Sequence, residues 1–244
     1  MGRHAGGIHV DDGSIWVPSE NKLYRFSLSQ LWGAAGTIID LKPAKVLTID
    51  SKGSFVSGMG EHLLVGEFIK ERKQVPAYHQ SPSGRHHAWT AVYNTNRLIH
   101  EPERNPFITS KDGTKLIRPD GVLHHRQKVQ GIAMREDGWI ALSISYGNTD
   151  SKIAFYRVPF DMNHPDTWPD RTSLPSGYSI PSFTLSSENH EFTLKAPAGS
   201  EELVWLRDNL LAIAFEGGAY PYRTRWDRLE DRTLILDLTQ RFNP

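Results

Sequence analysis

Apolar and polar side chains alternate along the chain in short runs rich in Val, Ile, Leu, Phe, Trp and Tyr. Gly, Asn, Asp and Ser clusters bound each run, and few stretches carry a helical period. The pattern predicts strands almost throughout. The clearest unit places strands over 129–134, 139–145 and 152–158. The corner between the first two is Asp137-Gly138, where glycine supplies the positive φ that a tight hairpin needs. The same order returns at 5–10, the corner Asp12-Gly13, 14–18 and 22–28. It returns again at 200–206, the corner Arg207-Asp208-Asn209, 210–215 and, after an inserted loop, 232–238. A weaker copy covers 55–59, 62–68 and 88–93. The chain therefore reads as four copies of one three-stranded meander, and segments 44–49 and 191–194 lie where each could add a fourth, outer strand.

Four-stranded antiparallel blades repeated around an axis make a β-propeller, in which radial packing shelters the sheet edges and the innermost strands surround a channel. The expected fold class is thus all-β, a single propeller domain over 1–244 with blades near 4–50, 53–123, 128–195 and 200–240. At least four blades are visible, within a five- or six-bladed ring. Matching anchors at Gly7, Gly58, Gly131 and Glu202 are 51, 73 and 71 residues apart, longer than the roughly 40–50 of compact propeller repeats. Long loops over 69–87 and 160–179 account for the excess, and loops of that length tend to cover a ligand or meet a partner. Trp16, Phe55, Trp89, Trp139, Phe155, Trp205 and Phe215 are the expected inter-blade core.

Composition removes several functions. Across 244 residues, 28 Lys and Arg cancel 28 Asp and Glu, so no broad positive field exists to attract nucleic acid. The lack of Cys excludes disulfides, a thiol nucleophile and thiolate zinc sites. No apolar run reaches the ~18 residues of a membrane span, and the first residues hold no signal-peptide apolar core.

Three sets of residues carry a resemblance. They are His4-Ala5-Gly6-Gly7-Ile8 with Ile15-Trp16-Val17-Pro18; Val129-Gln130-Gly131-Ile132 with Leu142-Ser143-Ile144-Ser145-Tyr146-Gly147; and Glu201-Glu202-Leu203 with the run from Phe215 through Gly217-Gly218 to Arg223. In these the chain resembles an uncharacterised family of bacterial secreted β-propeller proteins. The resemblance implies an extracytoplasmic location and further blades upstream, which would make this chain N-terminally truncated. It implies no catalytic residues.

In a propeller the starts of the first strands and the loops joining second to third strands gather on one face. There the sequence offers His4, Glu20, Ser57, Glu67, Gln130, Ser145, Tyr146, Glu201 and Glu216 as ligand-binding candidates. Small and polar residues also suit a narrow wet channel without any further role. As a functional set, crowded carboxylates either bind a cation or raise one another's pKa for acid–base work. Calcium is the cofactor such oxygen ligands would prefer, with Glu67, Glu201 and Glu216 as the metal candidates. Calcium-assisted propeller hydrolases resembling gluconolactonases present Asp and Asn as well, where this chain has Gly, Ser and Gln.

Other signals are weak. The pairs His86-His87 and His124-His125 point to opposite faces if on strands, so they read as surface or loop histidines. Gly-x-Ser-x-Gly and phosphate-loop patterns are absent. The run Tyr220–Trp226 could stack a sugar or peptide, or pack its loop against a blade. The sequence reading is a binding or protein-interaction scaffold, taking a small molecule, carbohydrate or peptide or protein ligand at the propeller face. The alternative is a calcium-assisted hydrolase or lyase with an axial carboxylate site.

Overall fold

The computed structural model describes residues 5–31, 41–100, 107–110, 112–161, 163–175, 177–207, 209–216 and 232–242. The first sheet holds β1 (His9–Asp11), β2 (Ser14–Ser19), β3 (Lys22–Ser27) and β4 (Lys45–Thr48) in spatial order. The second begins with β5 (Phe55–Met59), β6 (His62–Gly66) and β7 (Ala88–Asn94). Helix α1 (Thr95–His100) and a hairpin of β8 (Phe107–Thr109) and β9 (Lys115–Ile117) then lead to its next strand, β10 (Gly121–His125). The third starts with β11 (Val129–Met134), β12 (Trp139–Ile144) and β13 (Ser151–Arg157). Here the chain leaves the sheet to form β14 (Asp170–Ser173) and β15 (Ser179–Thr184), then returns with β16 (His190–Ala196) beside β13. The fourth sheet is β17 (Ser200–Arg207), β18 (Leu210–Phe215) and β19 (Leu234–Asp237), followed by the short helix α2 (Thr239–Phe242). The four sheets are arranged as a four-bladed β-propeller.

The expectation of uniform four-stranded antiparallel blades needs correction. β15 pairs with β10 in parallel, setting Val122 opposite Ser182 and His124 opposite Thr184, and β14 pairs with β15, so the second sheet has six strands. The proline-rich segment 160–179 is therefore in part sheet. Its strand covers the edge of β10, whose backbone groups would otherwise stand unpaired. Among the described residues the fourth sheet has three strands.

Apolar side chains fill the wedges between neighbouring blades. Trp16, Leu23 and Ile49 meet Val65, Trp89 and Tyr93 between the first and second. Phe55, Leu64 and Val92 meet Val129 and Leu142 between the second and third. Ile153 and Phe155 meet Leu203, Leu211 and Ile213 between the third and fourth. Burying a side chain of this size contributes about 1.5–3 kcal/mol, so the wedges are the main source of stability. Trp16, Phe55, Trp89 and Phe155 are fully buried, as expected. Trp139, Trp205 and Phe215 pack half-buried on the third wedge.

The glycine anchors have a steric cause. At the anchor Gly131 a Cβ would run into the backbone carbonyl of Glu201 on the adjacent inner strand; at Gly6, next to the anchor Gly7, it would run into the backbone of Gly53 and Ser54, just before β5. Inner strands of a narrow ring approach backbone to backbone, which only glycine allows. The fourth anchor is Glu202, whose carboxyl lies against Gly7 of the first blade.

Candidate functional site

Three separate segments converge where the first blade meets the second. Asp50 follows β4, Glu67 follows β6, and His79 closes a single 3-10 turn, Ala77–His79, in the long loop between β6 and β7. All three are buried. His79 Nδ1 lies 3.0 and 3.2 Å from the two carboxylate oxygens of Glu67, and its Nε2 lies 3.2 Å from Asp50 Oδ1. The ring stacks on Trp89 with centroids 3.7 Å apart. Trp89 donates its backbone N–H to Glu67 Oε1 (3.2 Å) and its indole N–H to the Asp50 carbonyl (3.1 Å). Tyr78 donates its hydroxyl to Asp50 Oδ1 at 3.0 Å.

Burial alone would lower the pKa of His79. The two carboxylates, Glu67 foremost, override that effect and raise it to about 9. The site thus holds an imidazolium between two carboxylates at neutral pH. Burial and the nearby Asp50 carboxylate push the Tyr78 phenol well above its ordinary range, which keeps it a donor. Beneath them, His124 donates Nδ1–H to the His79 carbonyl (3.1 Å) and accepts from the Thr172 hydroxyl (2.8 Å). Burial lowers His124 to about 4, so it is neutral. Thr172 belongs to β14, so the strand crossing from the third blade also buttresses this site.

Asp50, Glu67, Tyr78 and His79 line a cavity of about 570 Å³, together with Glu20, Lys52 and Asp112. Glu20 and Asn21 form the corner between β2 and β3 with φ of 48° and 59°, the paired left-handed geometry of a tight hairpin. Asp112 is held down to about 2 by the Ser110 hydroxyl and the Thr114 backbone N–H. Four acidic side chains, Glu20, Asp50, Glu67 and Asp112, thus line the cavity with Lys52 and His79. Asp50 Oδ2 is buried with no hydrogen-bond partner among the described residues.

The other candidates lie elsewhere. Glu201 is hydrogen-bonded to Glu216, and burial followed by that contact raises its pKa to about 8. Burial also pushes Glu202 well above the usual carboxylate range, and its Oε1 has no partner among the described residues. A raised carboxyl pKa stabilises the fold while the folded protein keeps a proton that the unfolded chain has lost. Stability contributed by Glu201 should therefore be present near pH 4.5 and decline as pH rises through 8. Urea denaturation at intervals across that range should show a shallower decline for Glu201→Gln.

Ser57 is buried on β5 and Gln130 half-buried on β11. Ser145 is buried and accepts from the Ser151 hydroxyl, which in turn accepts from the Ser200 backbone N–H, a chain that ties the third blade to the fourth. Tyr146 is exposed, with the Lys70 and Lys128 ammonium groups 4.5 and 4.9 Å from its ring centre. His4 and the run Tyr220–Trp226 fall outside the described residues. Glu20 and Glu67 share the cavity at the first two blades, whereas Glu201 and Glu216 pair with each other. Among the described residues no group of three or more His, Asp or Glu side chains could hold a metal ion, so Glu67, Glu201 and Glu216 are not assembled around one cation. His124 and His125, read as surface or loop residues, are both fully buried on β10.

No protein-family profile and no curated protein matches the chain. Among solved structures it is similar to a computationally designed protein, Ika4, at 7% identity over 96% of this chain and 91% of that one, with a TM-score of 0.38. It is also similar to Hsv2 of Kluyveromyces lactis, at 8% identity over 95% of this chain and 49% of that one, TM-score 0.36. A third likeness is to apo AztD of Citrobacter koseri, at 10% identity over 98% and 58%, TM-score 0.32. The chain spans about half the length of Hsv2. Likenesses this distant carry no functional information, and the propeller stands on its four sheets.

Proposed function

We propose that this protein is a ligand-binding scaffold whose cavity between the first and second blades takes a polar ligand rich in hydrogen-bond donors, a carbohydrate or a peptide. The observation that carries this reading is the occupation of both His79 nitrogens by carboxylates. A catalytic histidine in a hydrolase of the Ser-His-Asp kind keeps one nitrogen free to take a proton from the nucleophile. His79 keeps neither, and its raised pKa leaves it charged. It serves instead as a fixed countercharge that positions Asp50 and Glu67. Asp50 then carries an oxygen that lacks a donor among the described residues, a deficit of about 1–3 kcal/mol that a ligand hydroxyl or amine would relieve. The calcium-assisted alternative would require Glu67, Glu201 and Glu216 on one ion, and their separation gives it less support. The extracytoplasmic location rests on the sequence resemblance, and fractionation of the host cell would test it.

Calorimetric titration against neutral oligosaccharides and short peptides tests the binding reading. Asp50→Asn keeps an oxygen for Tyr78 and His79 while turning the partnerless acceptor into a donor. We expect at least tenfold weaker binding in Asp50→Asn with an unchanged circular dichroism spectrum. Equal binding by both proteins, or none by the wild type, would overturn the proposal.

A further inference from the structure

A second cavity, of about 640 Å³, lies where the second and third blades meet. It is built from three connections. The β6–β7 loop brings Arg85, His86 and His87, the β10–β11 connection brings Arg126 and Lys128, and the β15–β16 connection brings Ser186 and Ser187 and leads to His190 at the start of β16. No Asp or Glu lines it; Glu188, on the last connection, and Glu191, on β16, are exposed and stand outside the lining. Arg85, Arg126 and Lys128 make no ion pair among the described residues. Elsewhere Arg97 pairs with Asp120, and Arg135 and Arg157 pair with Asp137. In a chain whose charges cancel overall, three basic side chains are thus gathered on one concave surface with no carboxylate in its lining and no ion pair among the described residues.

The backbone holds this arrangement in place. Lys128 donates its N–H to the Ile69 carbonyl (3.0 Å), accepts at its own carbonyl from the Ser145 N–H (3.0 Å), and adopts a φ of 66°. A non-glycine residue in left-handed backbone is strained, and strain of this kind persists where surrounding structure over-determines it, often at binding sites. The Arg126 carbonyl accepts from His125 Nδ1 at 2.9 Å. His86 feels the resulting field: burial lowers its pKa, and His87, Arg126 and Arg85 lower it further. Tyr156 of β13 meets the ring of His190 edge-on, with centroids 5.4 Å apart, and gives one wall an aromatic surface.

We infer that this cavity binds a small molecule bearing a phosphate or sulfate group, with Arg85, Arg126 and Lys128 supplying the countercharge. Guanidinium groups offer paired N–H donors that match the oxygen spacing of such an anion. The volume exceeds that of the bare ion and falls in the range of sites for small organic ligands, which leaves room for the remainder of an ester against Tyr156 and His190. This site is separate from the carboxylate-rich cavity, and its charge has the opposite sign.

The test is calorimetric titration of the full chain with inorganic phosphate, inorganic sulfate, glucose 6-phosphate and glucose 6-sulfate at low ionic strength, repeated at 0.3 M NaCl. We expect at least one ester to bind more tightly than its free anion, binding to weaken with salt, and the double variant Arg85→Ala, Arg126→Ala to lose at least tenfold in affinity. Both side chains are exposed, so thermal unfolding of the variant should match that of the wild type. A tighter phosphate ester assigns the ligand as a phosphate compound, and a tighter sulfate ester assigns it as a sulfate compound. Asp50→Asn should bind the ester normally, which separates this site from the first cavity. No binding by any of the four, or equal binding by wild type and double variant, would overturn the inference.

Discussion

Replacing Glu67 by Ala should destabilise the protein by about 3–5 kcal/mol, the usual loss when one member of a buried ion pair is removed. For a domain of this size each kcal/mol moves the melting midpoint roughly 2–4 °C, so a fall on the order of 10 °C is expected in a thermal scan. The reason is electrostatic. Without Glu67 the buried His79 imidazolium keeps one carboxylate partner in place of two, and the Trp89 backbone N–H loses its acceptor. Wild-type stability should also depend on pH through the same group. The His79 pKa rises from 6.5 to about 9 on folding, which at about 1.36 kcal/mol per unit is roughly 3 kcal/mol. That contribution is fully present below pH 6.5 and is lost as pH rises through 9, because the unfolded chain releases its proton first. Urea titrations at pH 6, 7.5 and 9 should show the decline, and His79→Gln should be less stable at pH 6 and lack this component of it. A Glu67→Ala midpoint within 2 °C of wild type would show that the network contributes nothing.

Gly131→Val should be the other severe substitution. Its Cβ would occupy the place of the Glu201 carbonyl, a backbone group in the irregular stretch of β17 whose two ends, Ser200 and Leu203, are paired with Phe215 and Ile213 of β18. Overpacking of a tight site costs about 1–3 kcal/mol where neighbours can shift, and here backbone must shift, so the upper end is expected, with the third and fourth blades forced apart. Gly58→Ala is the informative comparison. Its Cβ would meet the imidazole of His9, a side chain that can rotate away, so its midpoint should fall much less. Equal losses in the two variants would mean that backbone approach between inner strands is not what requires glycine.

The strand pattern was legible because each blade repeats a local meander, and local patterns survive in sequence. Asp12-Gly13 and the glycine at 138 stand at hairpin corners with positive φ, as the Asp-Gly signal requires. Segments 44–49 and 191–194 supply outer strands β4 and β16. The candidate site was legible only in part. Glu20 and Glu67 emerged from their place at strand ends, but Asp50, Tyr78 and His79 did not. Asp50 lies in a linker and His79 in a long loop, and no fixed spacing joins either to Glu67. Their one trace in the sequence was the length of loop 69–87. The pairing of β15 with β10 left less trace still, since a parallel strand arriving from another blade obeys no hairpin rule.

What the amino-acid order alone determined is the all-β repeat, its corners, the glycines of the inner strands and the aromatic residues between blades. All of these follow from alternation of period two and from turn chemistry, which act between residues close in the chain. Only the tertiary structure decided which carboxylates meet. It placed Glu67 against His79 and Asp50, paired Glu201 with Glu216, and gathered Arg85, Arg126 and Lys128 into one cavity. Charge acts through space, so its partners are set by how blades pack and loops fold across them.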